Sequence, residues 1–291
     1  MENKDAFYKD NVNMKVIDGF IVQQVADSVW AIDEFGIDLM YLIIGTEKAM
    51  LLDTGIGLGK VSDVVKKMTD LPLIVVNSHH HYDHAGGNAQ FKRVYAHKKA
   101  IKTIQEQNSL QMRKSFFESQ KNRREYSGCP TYDEDIKRIG TFELVPIEEG
   151  YIFDLGDIQL ETIFTPGHTE DAICLLDRKN KILFSADTLV STPTLVFDYY
   201  SPTLSVYQKS LQKLWNLKDQ FELIFPGHYL KPIGKVYLRD MIQCVEDIQS
   251  RKAVGKHREM GANEREGLYY RYGHASIIYN EDRIDKEKAC L

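Results

Sequence analysis

Cysteine is scarce in this chain. Four occur in 291 residues, Cys129, Cys174, Cys244 and Cys290, and no two stand in a CxxC spacing. That excludes a zinc ribbon and a paired redox motif, and it fits reduced cytosolic thiols better than a disulfide scaffold. No apolar run approaches the ~18 residues of a membrane-spanning helix. The first residues, MENKDAFYKDNVNMKV, lack the apolar core of a secretory signal. Positive charge is in deficit, with a net charge of −5, which argues against a general nucleic-acid binder. There is no tandem repeat of fixed period and no low-complexity linker. A hydrophobic content of 43% still allows a large core. The expectation is a soluble cytoplasmic protein with neither nucleic acid nor membrane as partner.

What is present reads as strands and helices in alternation. Residues 19–32 are apolar and β-branched, with a break at Ala26-Asp27-Ser28. LMYLIIG (39–45) is continuously apolar, as for a strand buried on both faces. KAMLLD (48–53) and LIVV (73–76) are shorter strands. Between them Val61, Val64, Val65 and Met68 recur at helical spacing. Further strands are expected near 93–96, 143–146, 151–153, 158–164, 172–176, 181–185 and 223–225. Helices are expected at 205–217, with apolar Val206, Leu211, Leu214 and Leu217, and at 236–248. The aromatic tail at 268–278 adds a last strand. Residues 98–140 differ in character. From Lys92 to Arg124, ten basic residues face two acidic ones. This stretch is either a solvated helical insertion or a lid that attracts an anionic substrate.

The chain holds nine histidines, and their placement is uneven. In NSHHHYDHAGGN (77–88), four histidines and an aspartate fall within six positions, directly after a strand. In an extended loop, residues two apart project the same way, so His79 and His81 can face one metal while His80 points away. Asp83 and His84 lie one bend further on, in reach of a second metal. Three more candidates follow apolar strands: His168 in TPGHT, Asp187 in SADT and His228 in FPGHY. Glycine before each of these two histidines allows a tight turn. Imidazole together with carboxylate suits a dinuclear hydrolytic site. His97, His257 and His274 have no such setting and read as ordinary.

These residues resemble the signature of the metallo-β-lactamase superfamily. Its HxHxDH motif stands as His79, His81, Asp83 and His84, and its later histidine, aspartate and histidine stand in order as His168, Asp187 and His228. The resemblance covers roughly residues 18 to 230. It implies an α/β (α+β) fold, a four-layer αββα sandwich of two mixed β-sheets flanked by helices, with the metals at one edge. It implies that His79, His81 and His168 hold one divalent metal ion, that Asp83, His84 and His228 hold a second, and that Asp187 bridges both. Asp53, in LLDTG, then orients a ligand rather than binding metal. Zinc is the default ion, with iron or manganese accepted by the same ligands. A hydroxide shared by the two ions would attack the substrate. Asp83 would orient it, and Tyr199, Tyr200 or Tyr229 would donate to the developing oxyanion.

Departures narrow the expectation. The stretch after Asp187, TLVSTPTLVFDYYSP, has no lysine, unlike the corresponding loop of relatives that cleave glutathione thioesters. Val190 stands where many lactonases of the family carry tyrosine. Flavodoxin and nucleic-acid modules are absent. The expectation is a cytoplasmic, dinuclear metal-dependent hydrolase of a small ester, thioester or lactone, with a small-molecule substrate that is anionic if the insertion is a lid. Phosphodiester hydrolysis on the same ligands is the alternative, and a non-catalytic metal-binding scaffold is the third. One domain is expected over 1–291, with a helical insertion at about 98–140 and a C-terminal helix plus strand at about 235–280. The tail and the insertion could each serve a homodimer.

Overall fold

A computed structural model describes residues 13–107, 109–121, 141–196, 200–229, 232–260 and 265–285. The first sheet carries β1 (Met14–Ile17), β2 (Phe20–Ala26), β3 (Val29–Asp33), β4 (Leu39–Ile44), β5 (Ala49–Leu52), β6 (Leu73–Val76), β7 (Arg93–His97) and β8 (Glu143–Ile147), in that spatial order. It is antiparallel up to β5 and parallel from β5 to β8. The switch follows from the connections. Tight turns join the early strands, whereas α1 (Val61–Met68) crosses between β5 and β6.

The second sheet carries β9 (Ile152–Asp154), β10 (Gln159–Phe164), β11 (Ile173–Asp177) and β12 (Ile182–Ala186) as an antiparallel series. β14 (Leu223–Pro226) pairs parallel to β12. By these pairings β10, β12 and β14 run in one direction, so their carboxyl ends share one edge. That edge receives the loops bearing His168, Asp187 and His228.

Side-chain alternation shows why the apolar runs are continuous. In β4, Met40 and Leu42 face the layer under α1, while Leu39, Tyr41 and Ile43 face the second sheet. In β11, Ile173 and Leu175 face the first sheet, while Cys174 and Leu176 face the helices beyond. Those helices are α5 (Leu204–Asn216) and α6 (Lys235–Gln249). The Tyr41 hydroxyl crosses the inter-sheet core and donates to the Pro226 carbonyl at 2.7 Å, one residue before Gly227-His228.

The sandwich of two mixed sheets with flanking helices stands as the resemblance implies. A third sheet was not expected. β13 (Thr194–Val196) pairs parallel to β17 (Ala275–Tyr279), followed in order by β16 (Arg265–Tyr272) and β15 (Lys256–Met260). The expected C-terminal helix plus strand is therefore a helix plus three strands, joined by β13 from the middle of the chain. Leu268, Ala275, Ile277 and Tyr279 pack on α5 and α6, whose other side covers the second sheet. Of the basic insertion, α3 (Ala100–Gln107) and α4 (Leu110–Lys121) are described. Three of its lysines have acidic partners: Lys98 with Glu148, Lys99 with Glu170 and Lys102 with Glu106. Arg123, Arg124 and the Lys121 side chain lie outside the described residues. Among the described residues, no helix is long and apolar enough to cross a membrane.

Candidate metal centre

The HxHxDH stretch leaves β6 and turns at once into a one-turn helix, α2 (Tyr82–Ala85). The His81 carbonyl caps the turn, accepting the His84 and Ala85 amides at 3.0 and 2.9 Å. That turn brings Asp83 and His84 to the same side as His79 and His81. The glycines beyond it are required by space. A Cβ on Gly86 would meet the Ile56 and Tyr82 carbonyls, and one on Gly227 would lie 2.5 Å from Asp187 Oδ1. Three non-glycine residues beside the site adopt the left-handed backbone: Asp53 (φ 66°), Ala186 (φ 43°) and Tyr229 (φ 58°). Strain of this kind gathers where the surroundings dictate the chain path.

All seven expected ligands converge. Donor atoms of His79, His81 and His168 lie within 4.8 Å of one another, as do those of Asp83, His84 and His228. His79, His84 and Asp187 form a third set within the same limit, so Asp187 stands between the other two. Its carboxylate is 3.6 Å from His84 Nε2, 3.6 Å from His168 Nε2 and 3.2 Å from His228 Nε2. Asp187 Oδ1 is buried and has no hydrogen-bond partner.

The tautomers point the same way. His84 Nδ1 meets Asp53 Oδ2 at 3.0 Å, and His79 Nδ1 meets Ser78 Oγ at 3.0 Å. His168 Nδ1 donates to the Leu195 carbonyl and His228 Nδ1 to the Ile37 carbonyl, each at 2.8 Å. With Nδ1–H committed outward, each Nε2 lone pair is left facing the centre. There the nitrogens crowd: His79 Nε2 and His168 Nε2 stand 3.1 and 3.0 Å from His81 Nδ1, and His84 Nε2 stands 3.3 Å from His228 Nε2. Lone pairs gathered this closely want a cation between them.

Electrostatics separate the two halves. Burial, then the neighbouring histidines, pushes His79 and His81 well below the ordinary histidine range, and burial likewise lowers His168. These rings are neutral bases. Around His84, burial opposes charge, but Asp187, Asp83 and Asp53 override it and raise the group to about 10. His228 is raised against burial by Asp187. Burial works against ionisation of Asp187 too, yet His228, His84 and His168 hold it well below the usual carboxylate range. A field that favours positive charge, beside neutral imidazoles, fits a divalent cation.

Asp53 sits beneath both halves. It accepts the Ser78 amide and hydroxyl at 2.7 Å each, as well as His84, and so fixes His84 directly and His79 through Ser78. His80 points away, as expected, and pairs through Nδ1 with Asp171 Oδ1 at 2.6 Å, both side chains being buried. Tyr200 packs edge-on against the His80 ring. Tyr229 is half exposed on the rim beside His228, and Tyr199 lies outside the described residues. His97 stacks on Phe164, and His274 bonds Asp240.

Several contributors escaped the sequence reading. Asn77 and Asn88 bond each other and, with Thr54, brace the His84 carbonyl from below. Both asparagines bound the quoted stretch, and their polarity beside an apolar strand was the available signal. Ser78 and Asp171 offered only proximity to the motif. The Ile37 and Leu195 carbonyls leave no trace in side-chain identity.

Residues 34–228 match the profile of the metallo-beta-lactamase superfamily. An acyl-coenzyme A thioesterase, MBLAC2 of Gallus gallus, is 28% identical over 201 residues, 65% of this chain and 72% of that protein. A hydroxyacylglutathione hydrolase of Rhodopseudomonas palustris (strain BisB5) is 29% identical over 163 residues, 56% of this chain and 49% of that one. Among solved structures, DIM-1 metallo-beta-lactamase superposes with a TM-score of 0.56 at 17% identity, over 80% of this chain and 99% of that one. The sec-alkylsulfatase Pisa1 from Pseudomonas sp. gives 0.62 at 16% identity over 79% of this chain, which spans only 42% of that larger protein. At these identities the two structures speak for the fold alone.

Proposed function

Because the chain belongs to the metallo-β-lactamase superfamily, we propose that it is a hydrolase carrying two divalent metal ions, zinc first, and that it cleaves small acyl thioesters of the coenzyme A type. The observation that carries the reading is the convergence of seven side chains in overlapping donor sets, with Asp187 common to both sides. Metal ions bound there supply Lewis acidity and a water of lowered pKa. The chain supplies orientation. Asp53 and the Ile37 and Leu195 carbonyls fix the rings, so their lone pairs are preorganised before any ligand arrives. Asp83 lies 3.7 Å from His228 Nε2 and would help orient the attacking water.

Tyr229 is assigned as the oxyanion donor, a reading supported by its place directly after His228 and its half-exposed side chain. Tyr200 rests on His80 and serves to pack that ring. The thioester preference rests on the relatives named above. Esters and lactones present the same carbonyl chemistry to the same groups. The test is a panel of acyl-coenzyme A, a lactone and bis-p-nitrophenyl phosphate offered to zinc-loaded protein. Thiol release from acyl-coenzyme A, abolished by chelator, is expected to lead. Turnover of the phosphodiester alone would replace the thioester reading.

A further inference from the structure

We propose that the C-terminal segment 275–285, which lies beyond the residues matched to the family profile, is a positioning element for His168, and that Arg283 is its key residue. His168 is tethered at two atoms, and both tethers end on one stretch of chain. Its ring donates through Nδ1 to the Leu195 carbonyl at 2.8 Å, and its own carbonyl accepts the Ser201 hydroxyl at 2.6 Å. Leu195 belongs to β13, a three-residue strand that among the described residues pairs only with β17, in the register Thr194↔Ile277, Leu195↔Ile278, Val196↔Tyr279. A strand this short does not hold its own backbone in water. Its direction, and that of the Leu195 carbonyl, is set by β17.

Ser201 is held from the same side. Arg283 Nη1 donates to the Ser201 carbonyl at 2.6 Å, while Nε and Nη2 engage Asp282. The planar guanidinium clamped on Asp282 leaves its remaining edge aimed at Ser201. Two residues on, Asp285 accepts the Ser205 hydroxyl and, at 3.0 Å, the Gln249 amide at the end of α6. Ile284 and Tyr279 are buried with Val196 and Leu204 in one apolar cluster. The path therefore runs from α6 through Asp285 and Arg283 to Ser201, and from β17 through β13 to Leu195, and both branches finish on His168. The inference builds on the proposed metal site and adds that its His168 side is aligned from outside the sandwich.

The test is zinc affinity, measured by competition with a chromophoric chelator on the full chain. Arg283→Ala is expected to weaken zinc affinity about 3- to 10-fold, below the effect of removing a direct partner of a ligand. Arg283→Lys, which keeps one donor, should recover part of the loss. Ser201→Ala should weaken zinc as well, and the double variant should lose less than the product of the two, because they act in series. Arg258→Ala is the control, since Arg258 is exposed on β15 and stacks on Tyr269 of the same sheet. Equal affinity in Arg283→Ala and Arg258→Ala overturns the proposal. If the native chain takes up no zinc, the proposed function fails, and hydrogen exchange then decides the tether. Arg283→Ala should speed exchange at residues 194–196 and 200–204, and rates matching those of Arg258→Ala would overturn it.

Discussion

His80 and His81 are adjacent residues of one type with opposite duties. His81 turns Nδ1 toward His79 and His168, and His80 turns Nδ1 toward Asp171. His80→Ala should leave zinc content unchanged and lower stability by about 1–3 kcal/mol, because Asp171 is left buried without its partner. Metal analysis beside a thermal melt reads both effects. A second residue-scale prediction concerns Glu34 and Asp38. Glu34 accepts the amides of Ile56, Gly57 and Leu58 from the loop that follows Asp53. Burial raises Glu34 to about 7, and burial together with Glu34 raises Asp38 well above the carboxylate range. Folding therefore binds protons here more tightly than the unfolded chain does. The stabilisation is present at pH below about 4.5 and is lost as pH climbs through about 7. Asp38→Asn should flatten that loss, gaining on the order of 1–3 kcal/mol over the native chain at pH 8 and little at pH 5. Urea midpoints at the two pH values check it.

At the scale of elements, the two large sheets were legible because their strands obey a simple rule. β4, β11 and β12 are apolar on both faces, and each face meets a different core. The third sheet was not legible, for a physical reason. β13 is three residues inside TLVSTPTLVFDYYSP, and its extended state is decided by pairing with β17, about 80 residues later. Local pattern carries no such information. On α5, Leu211 and Leu214 are buried and Leu217 packs against the same cluster, as the spacing suggests. Val206 is only half-buried, and Leu204, Tyr207 and Ser210 complete the inward face. Tyr207 takes the inward place because its hydroxyl reaches the Thr188 carbonyl at 2.6 Å, one residue beyond Asp187. Leu211→Ala, at the layer between the second and third sheets, should cost about 2–5 kcal/mol in urea unfolding.

Across the whole molecule, the site was more legible than the architecture around it. Each proposed ligand follows an apolar strand in the sequence, and parallel strands deliver their carboxyl ends to one edge. Histidine and aspartate identity, with strand position, were therefore enough to gather the seven residues. Of the supports, Asp53 was visible in LLDTG, but the others were not, since the Ile37 and Leu195 carbonyls act through backbone and Arg283 acts from more than a hundred residues away. The central claim is that these seven side chains hold two metal ions. Its most direct test is the zinc content of the purified, zinc-dialysed chain by elemental analysis, set beside His81→Ala and His228→Ala. About two ions per native chain and about one in each variant are expected. Fewer than about one ion in the native chain, or no change in either variant, would contradict it.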